Sequence, residues 1–140
     1  MSIQAALMIA SASVVFLLGS AHLVLTFIGS KLHPREHECR QAMESTAPVL
    51  TRQTTIWRAW IGFNASHSFG AMLFGVLYGY FAVAQPKVLF GSPFLLAIGA
   101  LFLLGYVVLG RLYWFSTPFR GILLSAALYV AALLFSASET

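Results

Sequence analysis

Residues 59–86 read AWIGFNASHSFGAMLFGVLYGYFAVAQP, twenty-eight positions without an aspartate, glutamate, lysine or arginine. A helix needs roughly 20 mainly apolar residues to cross the hydrocarbon core of a bilayer. This stretch is therefore read as a membrane span, and its two strongest polar groups, Asn64 and His67, lie well inside it. Residues 1–30, 88–110 and 121–138 are charge-free in the same way. The chain is 59% hydrophobic and 9% charged, against about 25% charged for a soluble domain, which excludes the soluble class.

The expected fold is all-α, a four-helix transmembrane bundle forming one integral membrane domain over residues 1–140. Its helices are placed at about 3–28, 56–83, 93–114 and 118–137. The first segment lacks a basic n-region and is too long for an h-region, and no small-x-small cleavage site follows, so it is read as a retained helix. Basic residues set the topology. Lys31, Arg35, Arg40, Arg52 and Arg58 flank the first connection and Arg111 and Arg120 the third, leaving only Lys87 in the second. By the positive-inside rule, connections one and three are cytoplasmic and both termini lie outside. Basic charge used in this way signals topology, and nucleic-acid binding is set aside.

Local signals sharpen the boundaries. In the polar connection, residues 30–55, Pro34 suits the first turn of a short helix and Pro48 should end it. The segment HECRQAMES between them is too polar to insert and should lie along the headgroups or cap the bundle. Thr54 or Thr55 is placed to cap the second helix, with Trp57 and Trp60 in the interfacial aromatic belt. Residues 84–87 break the chain. Ser92-Pro93 and Ser116-Thr117-Pro118 each read as a helix start.

Counting places two histidines at one depth. His22 lies nine residues before Lys31, and His67 nine residues after Arg58, each roughly 13 Å below the same interface at 1.5 Å per residue. Ser11, Val15, Gly19, His22, Thr26 and Gly29 share one face of the first helix at about 100° per residue. Trp60, Asn64, His67, Ser68, Gly75 and Tyr78 share a face of the second. Ionisable groups inside a membrane usually face a partner, a cavity or a ligand. The candidate catalytic residues are His22, His67 and Asn64. The candidate ligand-binding residues are Thr26, Ser68, Tyr78, Tyr106 and Arg111. The bland alternative is a satisfied core in which polar side chains act as interhelical glue, at about 0.6 kcal/mol per bond.

Other patterns carry less. Gly62, Ser66 and Gly70, followed by Gly75 and Gly79, form a small-residue stripe suited to close packing, within the bundle or against another copy. His33, His37 and Cys39 spell H-x3-H-x-C, but the fourth ligand is missing and the region is solvated, so no metal site is assigned. All four acids, Glu36, Glu38, Glu44 and Glu139, lie outside the spans, which argues against a carboxylate proton relay or a carboxylate-bridged metal pair. The lone Cys39 forms no intramolecular disulfide.

GSAHLVLTF at residues 19–27, WRAWIGFNASHSFG at 57–70, RLYW at 111–114 and PFRG at 118–121 resemble an uncharacterised family of small bacterial four-helix membrane proteins. That resemblance implies a multi-pass protein of the bacterial inner membrane. The chain also resembles the MAPEG family in size, in four helices and in external termini. Arg58-Ala59 followed by Asn64-Ala65-Ser66-His67 echoes that family's Arg-Ala…Asn-x-x-Glu run, with His67 in place of the acid and a different spacing. Arg111 or Arg120 would match its later arginine. This second resemblance implies an architecture, a homo-oligomer such as a trimer, and a MAPEG-like membrane enzyme.

The functional expectation is a buried His/Asn/Thr site for a hydrophobic small molecule or lipid, entered from the cytoplasmic leaflet. A second expectation is a haem b held by His22 and His67 as axial ligands. A third is a non-catalytic accessory subunit of a membrane complex, or a homo-oligomeric scaffold.

Overall fold

The computed structural model describes residues 1–138, and its described residues form six helices: α1 (Ile3–Phe27), α2 (His37–Ser45), α3 (Ile56–Ala84), α4 (Pro86–Phe90), α5 (Pro93–Tyr113) and α6 (Ser116–Ser138). Of these, α1, α3, α5 and α6 are long and apolar enough to cross a membrane, so the fold is all-α and its four apolar helices suit a multi-pass membrane protein. Glu139, counted among the acids, lies outside the described residues.

The capping signals act as their chemistry requires. Ser92 accepts a hydrogen bond from the Leu95 backbone N–H at 3.3 Å, with Pro93 behind it in the first turn. Thr55, rather than Thr54, caps α3 by accepting from the Arg58 N–H at 3.3 Å. α6 begins two residues earlier than expected, at Ser116. Pro118 still falls in its first turn, where a missing N–H breaks no helical bond. α1 stops at Phe27, and Gly29, assigned above to its inner face, lies beyond its end with φ +84°. That left-handed backbone is open to glycine at no steric penalty. Pro34 also stands ahead of α2 instead of in its first turn, and Glu36 occupies the N-cap position.

The chain divides into two compact units whose boundaries fall inside α1 and α3. One comprises Met1–Leu18 and the described part of Ala71–Thr140. There, segments of all four long helices share one core that includes Met8, Val15, Phe74, Leu103, Ile122 and Tyr129. Ser11 and Ser125, both fully buried, donate reciprocally to each other's backbone carbonyls at 2.8 and 3.0 Å. The Tyr78 and Tyr129 hydroxyls donate to Leu95 O at 2.7 Å and Leu96 O at 2.8 Å, so both buried phenols are satisfied on α5. Phe74, Phe102 and Tyr106 stack in series with centroids 4.6 and 4.4 Å apart. The outward faces are strongly apolar: Phe94 is 71% exposed and Leu134 67%. In water such surface would drive aggregation, whereas lipid chains cover it without penalty.

The second unit is Gly19–Gly70, the end of α1, the polar connection and the start of α3. α2 buries none of its residues, as expected of a segment too polar to insert. Ile56 N–H donates to Thr46 O at 2.9 Å, tying the end of α2 to the start of α3. The Trp60 indole donates to Leu32 O at 3.3 Å, which anchors the connection to the first turns of α3.

Candidate functional site

Within this second unit, α1 contributes His22 and Thr26, and α3 contributes Asn64, His67 and Ser68. Thr26, Asn64 and Ser68 are buried and the two histidines are half-buried. No water is available in hydrocarbon, so each polar side chain must find its partner within the protein. Three of them turn to their own helix. Thr26 Oγ1 donates to His22 O at 2.8 Å, Ser68 Oγ donates to Asn64 O at 2.9 Å, and Asn64 Nδ2 donates to Trp60 O at 2.8 Å. All three span four residues, the spacing at which a helical side chain reaches a carbonyl one turn back. The Thr26 and Ser68 protons are therefore committed to the backbone, and toward a ligand these hydroxyls offer lone pairs.

His22 and Asn64 join the helices: His22 Nε2 lies 2.9 Å from Asn64 Oδ1. The direction of this bond follows from the bond behind it. A carbonyl can only accept, so Trp60 O requires the NH2 of Asn64, and Asn64 presents its oxygen to His22. His22 Nε2 must then carry the proton and donate. In the neutral ring this leaves the basic lone pair on Nδ1. The His67 ring stands edge-on to His22, with centroids 5.6 Å apart and planes at 77°. Its other side lies nearly parallel to Phe63, 6.3 Å away, and Phe63 is itself exposed. The cluster thus runs from a buried amide through two imidazoles to an outward-facing aromatic ring.

The two histidines matched in depth by counting do come together, with Asn64 between the helices. Tyr78, Tyr106 and Arg111 belong to the other unit and are engaged or placed there. Tyr78 bonds Leu95 O, Tyr106 stacks on Phe102 and meets Trp114 edge-on at 5.6 Å, and Arg111 is exposed in the last turn of α5. Sequence reasoning missed two contributors. Trp60 is expected both in the interfacial belt and on the face of Asn64 and His67, but the role of its carbonyl, which orients Asn64, is not; the four-residue spacing to Asn64 was the available signal. Phe63 precedes His67 by the same interval, at which helical side chains meet.

The remaining patterns resolve differently. His33 Nδ1 accepts from the Arg40 guanidinium, and the His33 ring meets Trp57 edge-on at 5.0 Å. His37 and Cys39 are exposed. Among the described residues, no group of three His, Cys, Asp or Glu is arranged to hold a metal ion. Gly62 and Ser66 face outward, with open space where a Gly62 side chain would stand. No family model, curated protein or solved structure matches the chain, and the two family resemblances rest on their motifs alone.

Proposed function

We propose that this is a four-helix protein of the bacterial inner membrane, with external termini, that binds a hydrophobic or lipid-like molecule at His22, Asn64 and His67. The observation that carries this reading is the pairing of two imidazoles across α1 and α3, 5.6 Å apart, with one ring's tautomer set by Asn64. His22 and Asn64 form one satisfied interhelical pair. His67 adds a second titratable group beside that pair, next to an exposed aromatic ring that an apolar ligand would contact. A neutral imidazole accepts a proton from a bound substrate and its charged form returns one. His22, through Nδ1, is the general base of this reading. His67 is its partner, and Asn64 is the positioning residue that holds the tautomer.

The test is the double variant His22→Ala/His67→Ala, purified in mild detergent and checked for retained helicity. Mass spectrometry of co-purifying lipids and small molecules should show at least one species lost relative to wild type. An unchanged profile in the folded double variant returns the cluster to a purely structural role, as in an accessory subunit. A haem b between the same histidines is the competing arrangement. Ligation of iron through His22 Nε2 would break the bond to Asn64. A Soret band in the purified protein after haem supplementation would displace the ligand reading in its favour.

A further inference from the structure

The polar connection holds a second feature, independent of the histidine pair. A cavity of about 510 Å³ is lined by Ser30, Lys31, His33, Arg35, His37 and Arg40, with Pro34 between them, and none of its lining residues is acidic. The positive-inside bias accounts for basic residues on this connection, but a topology signal requires only charge. It does not require order, and Arg40 is ordered from three sides. Its Nε donates to Glu44 Oε1 at 2.9 Å, one terminal nitrogen donates to His33 Nδ1, and the guanidinium carbon lies 4.6 Å from the Trp57 ring centroid.

A guanidinium has five N–H donors in a fixed fork. Two are engaged by Glu44 and His33, so three remain on a group already held in place. Preordered arginine with donors to spare suits the oxygens of a phosphate, which it recognises in a planar, two-pronged fashion. Lys31 and Arg35, both exposed, add charge at the rim. His33, whose Nδ1 accepts from Arg40, carries its proton on Nε2 when neutral.

Depth decides which phosphate. Ser30 lies three residues past the end of α1, and Trp57 is the second residue of α3. The cavity therefore flanks the ends of two spans, at the level where lipid headgroups sit. Basic pockets at that level bind anionic headgroups. We infer that the Lys31–Arg35–Arg40 cavity is a binding site for the phosphate of an anionic membrane lipid.

The full-length protein, delipidated in detergent, should retain phosphatidylglycerol in native mass spectrometry under conditions that strip phosphatidylcholine. The variant Lys31→Ala/Arg35→Ala should weaken phosphatidylglycerol retention about thirtyfold, at the usual weight of about 1 kcal/mol per basic residue near an anionic surface. Arg40→Gln should weaken it as well, and Arg40→Lys, which keeps the charge and loses the fork, by less. Equal retention of the two lipids by wild type overturns the inference, and so does undiminished retention by folded Lys31→Ala/Arg35→Ala. Displacement of phosphatidylglycerol by millimolar inorganic phosphate would assign the cavity to a soluble phosphate and overturn the lipid assignment. The wild-type comparison stands whatever the variants do to folding, and none of them alters His22, Asn64 or His67.

Discussion

Asn64 links the backbone of α3 to the chemistry of α1. Its amide is oriented by Trp60 O, and its oxygen then decides which nitrogen of His22 holds the proton. Asn64→Leu removes the acceptor and should let His22 sample both tautomers, read directly from the ring 15N shifts of histidine-labelled protein. Helix association should weaken by about 1 kcal/mol, the scale of interhelical hydrogen bonds in membranes. A His22 that stays wholly in the Nε2–H form in this variant would show that Asn64 does not set it. At this scale His22, Asn64 and His67 were legible beforehand, because depth in a membrane is a matter of counting residues from the nearest charge. The destinations of the hydroxyl protons were not. Thr26 and Ser68 look like ligand donors on a helical wheel. In the fold both protons go to carbonyls four residues back, a choice made by rotamer and local packing.

Among the elements, α3 shows how one glycine-rich helix divides its labour. The stripe of Gly62, Ser66 and Gly70, followed by Gly75 and Gly79, suggests close packing within the bundle or against another copy, and within this chain Gly62 and Ser66 face outward. The close approach is made by Gly75, where a Cβ would meet Phe16 Cβ at 2.6 Å and Ala12 O at 2.8 Å. Gly75→Ala should therefore force α1 away from α3 and cost about 1–3 kcal/mol, seen as a lower thermal midpoint in detergent. Gly105→Ala on α5 meets nothing within 4 Å and should be neutral or stabilising by up to about 1 kcal/mol, through helix propensity alone. Equal effects of the two substitutions would contradict the packing described. The four long helices were readable to within about two residues at each end, since charge-free length and capping residues are local properties. The short α4 was not foreseen. Pro86 reads equally as a breaker and as a first helical residue, and five residues are too few for a period. Fully buried Leu89 holds that turn in place, and burial is a tertiary fact.

For the molecule as a whole, the basic connection is predicted to face the cytoplasm, and the single cysteine supplies a native reporter. Cys39 is exposed on α2. A membrane-impermeant maleimide should leave it unlabelled in intact spheroplasts and modify it once the membrane is permeabilised. Labelling of intact spheroplasts would invert the topology and with it the leaflet from which the proposed ligand would reach His67. The sequence alone determined that this chain is all-α, where its four long apolar helices begin and end to within about two residues, and that two histidines fall at matched positions along two of them. Each of these follows from the cost of placing charge or unpaired backbone in hydrocarbon, which acts on every residue by its position along the chain. Only the tertiary structure decided that His22 meets Asn64 and His67, that Gly75 and not Gly62 takes the close contact, and that Arg40 is clamped beside a basic cavity. Those outcomes depend on how each helix is rotated about its own axis. Lipid is apolar on every side, so it selects for length and composition and leaves the rotation to side-chain packing.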